Sequence, residues 1–214
     1  MGKVANVIGA SGLVGQQMIN QLLFHSEFDK IRIFVRRKTR FIHPNLEENI
    51  IDFDQPESWK HLVQGDILFS TLGTTIKTVK TKQNQYKVDF TYQYEFAKAA
   101  SENGVPTYVL VSSIGANPKS LFFYSRMKGE LEEAVKKLNF QKLLIFRPSI
   151  LEGFRSEKRV GEKIGLVFMR FLTRFMFKKY KPTAGNVLAS KMISLSIDRN
   201  EGFRMIEANE LFLG

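Results

Sequence analysis

The sequence predicts an α/β protein built on a doubly wound parallel sheet with helices on both faces, and three observations carry that reading. Short β-branched apolar runs alternate with segments of helical periodicity from the first residues onward. The central runs, Ile67-Leu68-Phe69 and Tyr108-Val109-Leu110-Val111, are apolar at consecutive positions, as strands buried on both faces require. A glycine-rich turn joins the first such run to the first helical segment. With 43% hydrophobic and 25% charged residues, the 214-residue chain has the composition and size of one globular domain.

In order along the chain, strands are expected at 3–8, 31–35, 49–53, 66–72, 108–113 and 142–146, with helices at 13–24, 84–101 and 125–138. Parallel strands need right-handed crossovers, which gives one sheet of six or seven strands. Beyond residue 150 the alternation relaxes into a basic amphipathic helix near 162–179, a helix near 185–197 and strand-like pieces at 203–206 and 211–213. The expectation is a single domain over 1–214, with 151–214 forming a small cap on the substrate side.

The turn after the first strand reads Gly9-Ala10-Ser11-Gly12-Leu13-Val14-Gly15. Glycine at three-residue spacing permits the turn, close backbone approach to a pyrophosphate and tight helix–strand packing, while the helix amino terminus supplies N–H groups to the anion. The residues at the end of the second strand then choose the cofactor, since an acid there bonds the NAD ribose whereas arginine accommodates the NADP phosphate. Here stand Arg36-Arg37-Lys38, with no acid between Asp29 and Glu47. NADP(H) is the expected cofactor. After the fourth strand, Leu72-Gly73-Thr74-Thr75 brings backbone close to that cofactor and offers hydroxyls to ribose or phosphate.

Tyr124 and Lys128 stand at i, i+4 on one helix face, and a neighbouring cation lowers a tyrosine pKa from about 10 toward neutrality. The Lys can also hold the nicotinamide ribose. The same spacing recurs at Tyr94 and Lys98, on the helix before the fifth strand, where packing and a solvent-facing Lys are expected. Position favours Tyr124: the fifth strand ends in Ser112-Ser113, and a serine hydroxyl at a strand's carboxyl end can hold a substrate carbonyl. Ser113 is the candidate, with Ser112 as the alternative.

The segments 9–15, 72–75, Val88-Asp89, Ser112-Ser113-Ile114-Gly115-Ala116, Tyr124 to Lys128-Gly129-Glu130 and Arg147-Pro148-Ser149-Ile150-Leu151 resemble, nearly end to end, the Tat-interactive-protein-like branch of the atypical short-chain dehydrogenases/reductases. The resemblance implies a Rossmann-type NADPH-binding fold, a Ser113–Tyr124–Lys128 triad, an adenine contact at Asp52-Phe53 and a proline, Pro148, near the nicotinamide. The chain departs from ordinary members in carrying Leu72-Gly73-Thr74-Thr75 where they have Asn-Asn-Ala-Gly. Two functions follow: an NADPH-dependent oxidoreductase acting on a small carbonyl or alcohol substrate, or a cofactor-sensing interaction protein on the same fold.

Other classes are excluded by composition. The absence of cysteine removes disulfide scaffolds, thiolate nucleophiles and Cys-ligated zinc, and His25, His43 and His61 are too scattered for a transition-metal site. No signal-peptide apolar region precedes Gly9 and no apolar stretch spans a bilayer, so a cytoplasmic protein is expected. Thirty-two basic residues against 21 acids give +11, of which residues 155–181 carry +7. The basic helix across 158–181 is expected to pack on the domain, with membrane-surface or protein docking as the alternative. Nucleic acid is not expected, because no reader motif accompanies the charge.

Overall fold

The structure, a computed structural model, describes residues 2–152 and 182–212. The basic helix expected within 158–181 lies outside the described residues. The chain runs β1 (Lys3–Ile8), α1 (Leu13–Leu22), β2 (Phe28–Val35), β3 (Leu46–Ile50), α2 (Pro56–Trp59), β4 (Ile67–Ser70), α3 (Ile76–Val79), α4 (Lys82–Tyr86), α5 (Tyr92–Glu102), β5 (Thr107–Val111), α6 (Phe123–Val135) and β6 (Lys142–Arg147). Then come β7 (Leu151–Glu152), β8 (Thr183–Ala184), α7 (Gly185–Ile197) and β9 (Gly202–Glu207).

Seven strands form one all-parallel sheet in the order β3-β2-β1-β4-β5-β6-β9, and β7 pairs with β8 in a separate two-stranded parallel sheet. Alternate residues of each strand point to opposite faces, which the core records directly. Val7, Ile33, Phe69, Val109 and Phe146 pack toward α1 and α7. Ile8, Phe34, Leu68, Leu110 and Ile145 pack toward α5 and α6 with Trp59. The stripe Val14, Met18, Ile19 and Leu22 buries α1, and Trp59 stacks on Phe96 at 3.9 Å between ring centroids.

Four expectations are corrected. The third strand is Leu46–Ile50, three residues earlier in its start than the apolar run suggested. It is the sheet edge, where charged residues are tolerated: Glu47 pairs with Arg32 and Lys30, and Phe53 instead leaves the sheet to enter the core. The long helix expected over 84–101 is divided by a π-helical turn at Lys87–Thr91. Residues 182–212, expected as part of a cap, instead complete the sheet: β9 pairs with β6, and α7 packs against α1. The strand-like piece at 211–213 is a 3-10 turn, Glu210–Phe212, through its described residues.

Candidate functional site

The strand order reverses at β1 and β4, the place where open parallel sheets form a crevice beyond their carboxyl ends. The loops after these two strands touch. Gly9 has φ +85°, and a Cβ there would lie 2.5 Å from Leu72 N and Thr71 C. A Cβ on Gly15 would collide with the Gly9 carbonyl oxygen, so α1 can only pack this close without a side chain. The Gly12 N–H donates to Gly9 O at 2.8 Å, and α1 begins with no acid in its first turn. Ser11 is exposed beside this turn, Leu13 is half-buried, and the Val14 side chain belongs to the core. This cradle suits a pyrophosphate: its amides sit at an uncompensated positive helix end.

Arg36 and Arg37 are exposed at the carboxyl end of β2, and among the described residues neither has an ion-pair partner. Asp52 is exposed, its Oδ1 accepting from the Asp54 N–H at 2.9 Å, whereas the Phe53 ring is 5% exposed and packs on Phe96. After β4 the loop threonines differ in use. Thr71 Oγ1 donates to Ile8 O at 2.9 Å, and Thr75 Oγ1 caps α3 by accepting from the Thr78 N–H at 3.3 Å. Thr74 alone of the three has a hydroxyl without a partner among the described residues.

Tyr124 lies in the first turn of α6, with the Ser113 side chain beside its phenol. Lys128, one turn on, is 3% exposed. Of the two candidate serines, Ser112 faces away from this cluster: it is buried and its Oγ donates to Glu132 Oε1. Ser113 is half-buried and its Oγ also lies 3.3 Å from Ile114 O. Pro148 is buried just beyond β6, and its carbonyl accepts from the Ile114 N–H at 3.1 Å, tying that loop to the serine loop. Tyr94 and Lys98 sit elsewhere on α5, with Tyr94 packed against the core and the exposed Lys98 3.9 Å from Glu102.

The expectation of a lowered Tyr124 pKa is corrected. Burial pushes the phenol up and outweighs the pull of the Lys128 charge; the Asp89 charge pushes it further up, and the Ser113 hydrogen bond pulls it down. Asp89 is the residue that sequence reasoning quoted without a role. It is 1% exposed, with Oδ1 at 3.5 Å from Lys128 Nζ and Oδ2 accepting from the Thr74 N–H at 3.1 Å. The signal was an acid between two apolar residues of a helical stretch, Val88-Asp89-Phe90. Glu132 is the second omission, continuing the four-residue step from Tyr124 and Lys128 along α6.

Residues 9–153 match the NAD(P)H-binding family, and the fold above agrees with it. This chain belongs to that family. It is 36% identical to "Protein fmp52, mitochondrial" of Emericella nidulans, over 77% of this chain and 75% of that protein. To "Protein FMP52, mitochondrial" of Eremothecium gossypii it is 31% identical, over 97% and 95%. Among solved structures, the Bordetella bronchiseptica enzyme WbmH in complex with NAD+ superposes with TM-score 0.72 at 17% identity, over 94% of this chain and 74% of that one. The dTDP-4-dehydrorhamnose reductase of Bacillus anthracis in complex with NADP gives TM-score 0.66 at 19% identity, over 96% and 75%. The cytoplasmic expectation is overturned by the names of the family's fungal members, which are mitochondrial. It rested on the lack of a secretory-type apolar region, which bears on secretion and not on organelle address.

Proposed function

We propose that this family member is an NADPH-dependent oxidoreductase acting on a small carbonyl or alcohol compound at mitochondria. The observation that carries the reading is the convergence of the Tyr124 phenol and the Ser113 hydroxyl, with Lys128 one turn behind, on the α6 face that also meets the β4 loop through Asp89. The glycine cradle at 9–15 and the amino end of α1 would hold the pyrophosphate, and Arg36 and Arg37 the 2′-phosphate. Thr74 and the backbone of Leu72 and Gly73 would lie along the ribose side, Asp52 and the Phe53 backbone would meet the adenine, and Pro148 would wall the nicotinamide. When bound, NADPH supplies a hydride for the carbonyl carbon. Ser113 holds the substrate oxygen, Tyr124 donates its O–H proton to that oxygen, and Lys128 compensates the phenolate left behind until solvent returns the proton.

The test has two arms. Steady NADPH consumption with members of an aldehyde and ketone panel is expected; binding without consumption by any of them would leave a cofactor-sensing protein instead. By titration calorimetry NADPH should bind at least roughly tenfold tighter than NADH, the worth of one or two charge-assisted phosphate contacts. The double substitution Arg36→Ala, Arg37→Ala should narrow that gap with an unchanged melting temperature, since both side chains are exposed. Equal affinities in the unmodified protein would overturn the NADP(H) assignment.

A further inference from the structure

A carboxylate has no general reason to be buried in the middle of a helical stretch, and Asp89 is held there by construction. The π turn at Lys87–Thr91 closes with the Tyr92 N–H bonding to Lys87 O, five residues back, which widens the helix by one residue at this point. The Asp89 carbonyl is engaged by a side chain: Gln93 Nε2 donates to it at 2.7 Å, and Gln93 Oε1 in turn accepts from Ser70 Oγ at 2.7 Å. Ser70 ends β4 and leads directly into the Leu72–Thr75 loop. Gln93 and Ser70 are both 0% exposed, so this arrangement is dry and fully paired. Backbone and side chain of Asp89 are thereby both anchored, the first to β4 and the second to the loop that follows it and to α6.

Resting on the oxidoreductase reading above, we propose that Asp89 is a positioning residue that couples the cofactor loop to the acid–base pair: one carboxylate oxygen fixes the Thr74 amide and the other fixes the Lys128 ammonium. Seating the cofactor against the loop after β4 and aligning Lys128 behind Tyr124 are then one event. The chemistry demands a carboxylate and not an amide. Asp89 must accept from an N–H donor on one side and face an ammonium on the other, and only a group with acceptors at both oxygens satisfies both. An asparagine in its place turns an NH2 group toward one of two donors. Either the Thr74 amide or Lys128 then loses its partner.

Asp89→Asn is nearly isosteric and tests this with a double-mutant cycle against Lys128→Met, read both as kcat at saturating NADPH and as NADPH affinity. Asp89→Asn should lower kcat by roughly tenfold or more, as displaced catalytic groups do, and weaken NADPH by about threefold or more through the loop. In the Lys128→Met background the further loss of kcat should vanish, because the group through which Asp89 acts is gone. Equal losses in both backgrounds would mark Asp89 as merely structural and overturn the proposal, as would unchanged kcat and affinity in the single variant. If the unmodified protein turns over no carbonyl, the oxidoreductase reading fails on its own. The affinity arm still judges the coupling, which stands if Asp89→Asn weakens NADPH less in the Lys128→Met background than alone, and falls if the two effects add.

Discussion

Tyr124→Phe is expected to bind NADPH as the unmodified protein does and to lose turnover by roughly 10²-fold or more, the usual worth of a positioned general acid. The substitution removes only the hydroxyl beside Ser113; the ring stays, so the start of α6 should remain intact. The pH dependence follows with its sign. Reduction needs the protonated phenol, and burial, outweighing Lys128, holds the Tyr124 pKa above the ordinary tyrosine value. The proton-donating form therefore persists through neutrality, and the midpoint of any alkaline decline in NADPH-dependent reduction caused by loss of this proton should lie above about pH 10. An alkaline decline centred near pH 7 that disappears in Tyr124→Phe would refute the sign. Tyr94→Phe is the control. Its partner Lys98 is exposed and paired with Glu102, and its ring packs on the core, so kinetics and melting should both be unchanged.

Arg147→Met should produce the largest loss of stability, about 3–5 kcal/mol in denaturant unfolding, as breaking a buried pair on one side does. Glu132 is 1% exposed, and Arg147 meets it with two bonds, Nε to Oε1 at 3.0 Å and Nη2 to Oε2 at 2.6 Å. Arg147 also donates to Glu207 Oε1 at 3.1 Å and to Ala116 O at 3.2 Å, joining β6, α6, β9 and the loop after the candidate serines. Without the guanidinium, Glu132 keeps only the Ser112 hydroxyl, and its charge is left buried and uncompensated. The double variant Arg147→Met, Glu132→Met removes both charges and should recover much of the loss. A double variant as unstable as Arg147→Met alone would show that packing, not charge, is at stake. Because the network fixes α6 at its Glu132 end, turnover should fall along with stability in the single variant, and should return with it in the double.

Much of this protein is legible locally. The alternation of continuous apolar runs with helical periodicity determined the parallel sheet and its two helical layers, because burial on both faces dictates composition residue by residue. The Gly9–Gly12–Gly15 spacing determined the turn, since backbone without side chains is the only chain that can pass that close to Leu72 and pack α1 on the first strand. Tyr124 and Lys128 were readable as a pair because i, i+4 is a property of the helix itself. What tertiary structure decided are relations between segments far apart in sequence. Ser112 and Ser113 are neighbours with the same chemistry; a buried Glu132 twenty residues away engages the first, and the second is left beside Tyr124. Asp89 acquires its place from Lys128 and Thr74, neither on its own element, through a π turn that no periodicity announces. The pKa of Tyr124 likewise depends on how completely the surrounding layers exclude water. Spacing names the cation that pulls it down, and only packing shows that desolvation wins.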